Sequence, residues 1–445
     1  MTAEHTQELI FGVSPIWIAS ILFVATYAVI VSEKINRAIV ALIGAGLMIT
    51  LGVLNQEAAI RGIDFNTLGL LTGMMVVVAI SRRSGVFQYV AVWSAKKVQA
   101  RPWGILVMLS LVTAVFSALL DNVTTVLLIA PVTLLITEEL RMKPYPFLFA
   151  EIFASNIGGT ATLIGDPPNI MIGSAVGLTF NDFLVNLAPI TPLIMLLTLI
   201  VIYFVWGRSM HATEKARARV MSFNEREAIT DVKLLKQSLF VITLVVLGFL
   251  FAHSLHLEPA TIAMAGAALL LLLTSMGNDA EEQSENVHKS FADVEWVTIF
   301  FFVGLFIVVT GIEHAGLLEM LANYVVELTG GDMALTALSI IWVSAVFSAI
   351  VDNIPFVATM IPMIKSMAPT FGGAENLMPL WWSLALGACL GGNGSLVGAS
   401  ANLIVAGFAE RAGHRIEFLK FMAFAFPLML MSIVIASFYV YFRYL

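Results

Sequence analysis

Two Asp-Asn pairs, Asp121-Asn122 and Asp352-Asn353, lie in the middle of long apolar stretches, residues 104–137 and 334–364. An ionised carboxylate in such surroundings is costly, so it is held protonated, paired or bound to a cation. A carboxylate that alternates among these states can couple a process to H+ or Na+. If the ion is Na+, the expected ligands are Asp121, Asn122, Asp352 and Asn353, the amides adding both donors and acceptors. The alternative is a fixed structural role, each Asp capping the half-helix that starts at Thr124 or Ile354.

A second polar set lies in GGTATLIGDPPN, residues 158–169, and in GGNGSLVGASAN, residues 391–402. Paired glycines and Pro167-Pro168 break a helix, and Pro168 suits the first turn of a new one. Freed backbone groups then face a site together with Asn156, Thr160, Thr162 and Asn169 from one segment, Asn393, Ser395 and Asn402 from the other, and Thr124 beside the first Asp-Asn pair. Half-helix N-termini attract anionic or oxygen-rich groups, and carbonyl ends coordinate cations. Two acids are unmatched. Ala399 stands where Asp166 would recur, and Glu151 has no acidic counterpart. Both are coupling candidates beside Asp121 and Asp352, although Glu151 could instead snorkel from near the end of its span. No Lys or Arg occurs in 104–140, 144–207, 331–364 or 366–410. Acids, amides and hydroxyls without a cation favour a neutral polyhydroxy solute, a small anion held on helix dipoles, or a metal cation.

The elements that position these residues follow from composition. The 445 residues are 59% hydrophobic and 12% charged, with a mean hydropathy of +0.93. This excludes an ordinary soluble enzyme, a disordered chain and a disulfide scaffold, and describes a polytopic protein whose partner is the lipid bilayer. A net charge of −7 argues against nucleic acid. Cys389 is the single cysteine, so no internal disulfide forms. The start MTAEHTQELIF lacks the basic region of a cleaved signal peptide. Ten crossings are expected, at 15–31, 38–54, 68–80, 147–176, 188–206, 239–252, 260–276, 297–311, 381–409 and 421–442. The stretches 104–137 and 334–364 read as re-entrant hairpins, their irregular tips tolerated where protein or water covers them. Segments 86–99 and 317–329 read as interfacial helices. The linker 207–237 reads as a solvated cytoplasmic connector, and 278–293 as a mobile acidic loop. This arrangement puts all the Lys and Arg except Arg61, Lys365 and Arg443 on one side, so both termini are expected outside.

VFSALLDN at 115–122 returns as VFSAIVDN 231 residues later, and the glycine-rich motif returns at an offset of 233. Each half holds an odd number of crossings, so the second copy must be upside down. The expected fold is therefore an all-α polytopic membrane protein of two inverted repeats, 1–206 and 238–445, joined by the linker. Each repeat carries five spans, a re-entrant hairpin and a broken helix. Inverted repeats with interrupted helices are the pattern of a secondary transporter whose site lies at the repeat interface. Enzyme readings fail: Leu163-Ile164-Gly165-Asp166 lacks the first Gly of an intramembrane aspartyl protease, and no His-Glu-x-x-His is present.

DNVTTVLLIAPV, NIGGTATLIGDPPN, VDNIPFVATMIP and ALGACLGGNGSLVGASAN resemble the ion-transporter superfamily. The likeness is strongest to the branch of the melanosomal P protein, related to arsenite exporters and NhaD-type Na+/H+ antiporters. It covers nearly the whole chain after the first span. The resemblance implies elevator-type alternating access, substrate binding at the hairpin tips and broken helices, and commonly a homodimer. The tips here read Asp-Asn where the dicarboxylate branch has Ser-Asn-Thr. The expected activity is H+- or Na+-coupled transport of a small inorganic oxyanion or hydroxide, of the arsenite or silicic acid type, in a bacterial inner membrane and without a cofactor. Na+/H+ antiport and an anion channel are the alternatives.

Overall fold

The computed structural model describes residues 13–32 and 34–445. The expected first residues of the chain, and the side on which they lie, fall outside that description. The first half runs through α1 (Pro15–Ser32), α2 (Arg37–Thr50), α3 (Gln56–Arg61), α4 (Phe65–Arg82), α5 (Val86–Lys97) and α6 (Pro102–Leu119). It continues with α7 (Asn122–Glu139), α8 (Tyr145–Thr160), α9 (Pro167–Val176), α10 (Phe180–Asn186) and α11 (Thr191–Val205). After α12 (Glu214–Met221) a similar series returns, with ten helices in place of eleven. Its members are α13 (Val232–Leu255), α14 (Pro259–Ser275), α15 (Ala280–Ala292), α16 (Trp296–His314), α17 (Leu317–Leu328) and α18 (Met333–Ile350). Then come α19 (Asn353–Ser366), α20 (Met378–Gly391), α21 (Ser400–Arg411) and α22 (Phe418–Tyr444).

The two apolar stretches with central Asp-Asn pairs are helical hairpins, α6–α7 and α18–α19, each turning at its Asp. Among the described residues eight helices are long and apolar enough to cross a membrane, or nine if the bent pair α10–α11 counts as one. Ten crossings are expected from composition. The difference has a structural cause. Helices α2 and α14 are short, and the spans at 147–176 and 381–409 are each split into two half-length helices, α8/α9 and α20/α21. The hairpin limbs α6, α7 and α18, in turn, are among the eight long apolar helices.

The helices sort into two clusters. In the first, α4 packs on α14 and α2 on α16, with α1 and α13 alongside. These contacts are close because two glycines permit them. A Cβ at Gly73 would lie 2.6 Å from the Ala263 carbonyl carbon, and one at Gly304 would lie 2.5 Å from that of Ala41. In the second cluster α6 packs on α8 and α18 on α20, while α7 meets α21 and α9 meets α19 across the two halves. Helices α5 and α17, the segments expected to be interfacial, bridge the clusters, α5 touching α4, α6 and α7, and α17 touching α16 and α19.

One expectation for a polar segment is corrected and another refined. Residues 278–293 are not a loop but helix α15, N-capped by the Asp279 side chain on Glu282 N. The linker, although largely exposed, is also docked on the bundle. Ala216 and Val220 of α12 are buried, and α12 packs on α5 and α7. Arg217 donates to the Gln99 carbonyl at 2.8 Å, and Arg219 pairs with Glu139 at 3.0 Å. Gly85, at φ 78°, turns α4 into α5, and a Cβ there would sit 1.7 Å from the Ala228 carbonyl oxygen of the linker. Lys96 pairs with Glu225 and holds that carboxyl below its ordinary range. These contacts define a linker face of the bundle. Hairpin α6–α7 opens to it. Hairpin α18–α19 opens to the opposite face, where α17 follows the far end of α16 and runs along α19. The last helix, α22, ends with Tyr444 hydrogen-bonded to Asn186 of α10 at 2.9 Å, also away from the linker.

Candidate functional site

Both tip aspartates cap the helix that follows them. Asp121 accepts from Thr124 N at 2.7 Å and Asp352 from Ile354 N at 3.0 Å. Beyond that they differ. The second oxygen of Asp352 accepts from Arg37 at 2.9 Å and from Ser400 Oγ at 2.8 Å. Arg37 also donates to Ser400 Oγ at 2.5 Å and to Thr298 Oγ1 at 3.1 Å. Sequence reasoning missed Arg37 and Ser400. Arg37 is the first residue of α2 and lies 315 residues from its partner, so no local spacing announces the pair.

Each hairpin clasps a broken helix by the same bonds. Ser117 donates to the Ser155 carbonyl at 2.6 Å, and Ser348 to that of Ala388 at 2.7 Å. Thr162 donates to the Ala118 carbonyl at 2.5 Å, and Ser395 to that of Ala349 at 2.6 Å. The amide of Asn169 holds the carbonyls of Gly159, Thr160 and Thr162, and Asn402 holds those of Gly392 and Ser395. Thr160 donates to the Asn156 carbonyl at 2.7 Å. The hydroxyl of Thr160 is thus committed to a carbonyl within α8, those of Thr162 and Ser395 to the last turns of α6 and α18, and the amide hydrogens of Asn169 and Asn402 to carbonyls at the breaks. Their role in the structure is to hold the breaks open.

The remaining candidates meet where the two repeats join. The Asn156 amide donates to Asn393 Oδ1 and to Asn402 Oδ1, both at 3.0 Å, and Asn122 donates to Asn156 Oδ1 at 3.4 Å. Asn353 donates to both oxygens of Asp166, at 3.3 and 3.4 Å. Both hairpin tips and both breaks therefore contribute to one buried cluster. The N-termini of α7, α9, α19 and α21 begin at it. Asn122 Oδ1 and Asn393 Nδ2 find no partner among the described residues, although Asn122, Asp166, Asn353 and Asn393 are all buried. Buried polar atoms of this kind are usually satisfied, so unpaired ones pointing into one cluster mark a place for a further ligand.

Asp166 is an acid of this centre with no ion-pair partner among the described residues, held only by neutral groups: two long amide hydrogen bonds from Asn353, with Asn122 and Cys389 also within its reach. Burying a charged carboxylate so weakly supported costs several kcal/mol, which a proton or a cation removes. Asp352 does not share that condition, because Arg37 pairs with it, and Asp121, also without a cation, is engaged as the cap of α7. Among the described residues no three His, Cys, Asp or Glu side chains group as a metal site. Glu151 does not snorkel. It is buried in α8, accepts from Thr133 of α7, and its other oxygen has no partner.

Two cavities flank the site in pseudo-symmetric positions. One, of about 300 Å³, is lined by the linker-face ends of α1, α2 and α16 and reaches Arg37, Asp352 and Ser400. The other, of about 340 Å³, opens on the opposite face beside Asn66, Ile170 and Pro259 and reaches neither tip aspartate.

The citrate transporter family, CitMHS, matches residues 27–387. The uncharacterized transporter Rv2684 of Mycobacterium tuberculosis is 42% identical over 431 residues, which span 96% of this chain and 98% of that protein. The human P protein is 32% identical over 503 residues, spanning 95% of this chain and 59% of P protein. Among solved structures, the YdaH transporter of Alcanivorax borkumensis, described as having an unusual topology, aligns with a TM-score of 0.60. That alignment covers 96% of this chain and 98% of that one at 14% identity, which is a likeness of fold. The chain belongs to the citrate transporter family and is a membrane transporter.

Proposed function

We propose that this member of the citrate transporter family is a secondary active transporter, coupled to H+ or Na+, for a small inorganic anion or oxyanion of the arsenite or silicic acid type. The observation that carries the reading is the cluster at the repeat interface. Four half-helix N-termini begin there, two amide groups hold unpaired polar atoms, and Asp166 stands beside them without a cation. Helix N-termini and amides suit a small anion or a polyhydroxy solute. A citrate-type substrate, which the family's name suggests, carries several carboxylates. The basic side chain nearest the tips, Arg37, is already engaged by Asp352.

Coupling follows from Asp166. Its counterpart is Ala399, so one half of the pseudo-symmetric site carries a charge that the other lacks. Moving the second cluster against the first with Asp166 ionised is costly, and a bound proton or Na+ removes that cost. The empty carrier therefore moves slowly. Asp121, Asp352 and Glu151 remain further coupling candidates. The motion is elevator-like, with α5 and α17 as the arms between clusters and their ends as hinges. The linker lies in the cytoplasm of a bacterial inner membrane, and two copies form a homodimer.

Na+/H+ antiport without another solute is the second reading, favoured by the same unpaired carboxylate. Proteoliposome flux tests both, with arsenite, silicate, phosphate, chloride, citrate and Na+ each measured with and without a pH gradient. Gradient-driven movement of one inorganic solute is expected. Movement of citrate alone, Na+/H+ exchange alone, or flux too fast for alternating access would each replace the reading.

A further inference from the structure

We infer that Arg37 is a latch that holds the mobile cluster toward the linker face, making that state the resting state of the carrier. The inference rests on the alternating-access reading above. Arg37 belongs to α2, in the cluster that the reading keeps still. Its guanidinium lies 5.0 Å from the centre of the Phe301 ring and donates to Thr298, both on α16 of the same cluster. Its other bonds cross the boundary, to Asp352 at the hairpin tip and to Ser400 at the start of α21. One side chain thus ties the still cluster to the two elements that form half of the candidate site. Arg suits this use because its planar, permanently charged fork serves several acceptors at once.

The position of the pair tells which state it favours. Hairpin α18–α19 enters from the face opposite the linker, yet its tip meets the linker-face ends of α2 and α16. That contact is available when the mobile cluster is displaced toward the linker. The cavity on the linker face reaches the paired residues, and the cavity on the other face reaches neither tip.

The repeat lacks the matching latch. Gly304 packs on Ala41 and Gly73 packs on Ala263. Superimposing those contacts puts Pro259 where Arg37 stands, and Pro259 lines the opposite cavity. When the cluster moves the other way, Asp121 meets no permanently charged counterpart: the opposite cavity is lined by no Lys or Arg, and its His253 and His256 are the groups there that can become cationic. The two end states are therefore unequal in energy although the fold is nearly symmetric, and a ligand must supply the difference to populate the second.

The test measures reaction of a hydrophilic thiol reagent with Ile404→Cys in the linker-face cavity and Leu178→Cys in the opposite one, in the full chain in nanodiscs. The ratio of the two rates reports the equilibrium. Arg37→Gln should lower the Ile404 rate and raise the Leu178 rate, shifting the ratio roughly tenfold, as a charge-assisted pair of this kind would. Asp352→Asn should shift it likewise with Arg37 still present. The exchanged pair Arg37→Asp with Asp352→Arg should bring it back. An unchanged ratio in folded Arg37→Gln and Asp352→Asn proteins overturns the latch. If both rates rise together without trading off, the alternating-access reading itself fails, and the latch with it. Loss of folded protein in both single variants overturns the latch too, because the pair is then a structural tie.

Discussion

Asp166 and Asp121 are both buried acids in polar turns, yet their surroundings give them different work. Asp166 is held by neutral side chains alone, Asn353, Asn122 and Cys389, and caps nothing, whereas Asp121 caps α7 through Thr124 N. Asp166→Asn should therefore fold normally and lose gradient-driven transport, as read by uptake into proteoliposomes. Full coupling in that variant would remove Asp166 from the mechanism. Asp121→Asn keeps a good cap and should be near neutral in stability, while Asp121→Ala should lose about 1 kcal/mol, measured by denaturant unfolding in detergent. An equal loss in both would show that charge, not capping, is what Asp121 supplies. At this scale the sequence made much of the candidate site legible, because Asp and Asn inside long apolar stretches are conspicuous. It left two things hidden. Spacing cannot distinguish a hydroxyl that faces a solute from one, such as Thr162, that holds a backbone carbonyl. Nor does spacing bring Arg37 to Asp352, a contact created by helix packing alone.

Helices and turns carry the next set of expectations. The hairpins and breaks were readable because an interrupted apolar run too long for one span has few other solutions. Helix α15 was also open to reading, and its acidic composition concealed it. Asp279 is an N-cap, Glu281 and Glu282 occupy the first turn, and Lys289 the last. Each sits where the helix dipole favours it. The docked linker had a weaker sign in Ala216 and Val220, four residues apart on one face of α12. Gly85 tests that docking. Gly85→Ala strains a left-handed turn and drives a methyl into the Ala228 carbonyl, so it should release the linker to limited proteolysis. Unchanged cleavage would mean that the linker is held elsewhere. The Lys96–Glu225 pair adds a pH dependence of known sign. The folded carboxyl titrates below its ordinary range, so its contribution is present at neutral pH and lost as pH falls through that lowered value. Linker cleavage should rise on acidification in the native chain, and less so in Glu225→Gln.

For the whole molecule, sidedness and motion are each open to test. Cysteines at Lys215 and Ser284, both exposed, should react with an impermeant reagent only from the cytoplasmic side. Reaction at Lys215→Cys from outside would invert the proposed orientation. The claim about motion is central, because the coupling role of Asp166 and the latch at Arg37 both depend on the second helix cluster sliding against the first. The clusters touch where Tyr27 of α1 hydrogen-bonds Thr359 of α19 at 2.9 Å and the Pro355 carbonyl at 2.8 Å. A short bifunctional thiol reagent joining Tyr27→Cys to Thr359→Cys would fix that boundary. The most direct measurement is proteoliposome uptake of whichever solute the flux panel identifies, before and after that cross-link forms, with binding of the same solute measured in parallel. The account predicts that transport stops while binding persists. Uptake at the uncross-linked rate, with the cross-link fully formed, would contradict it.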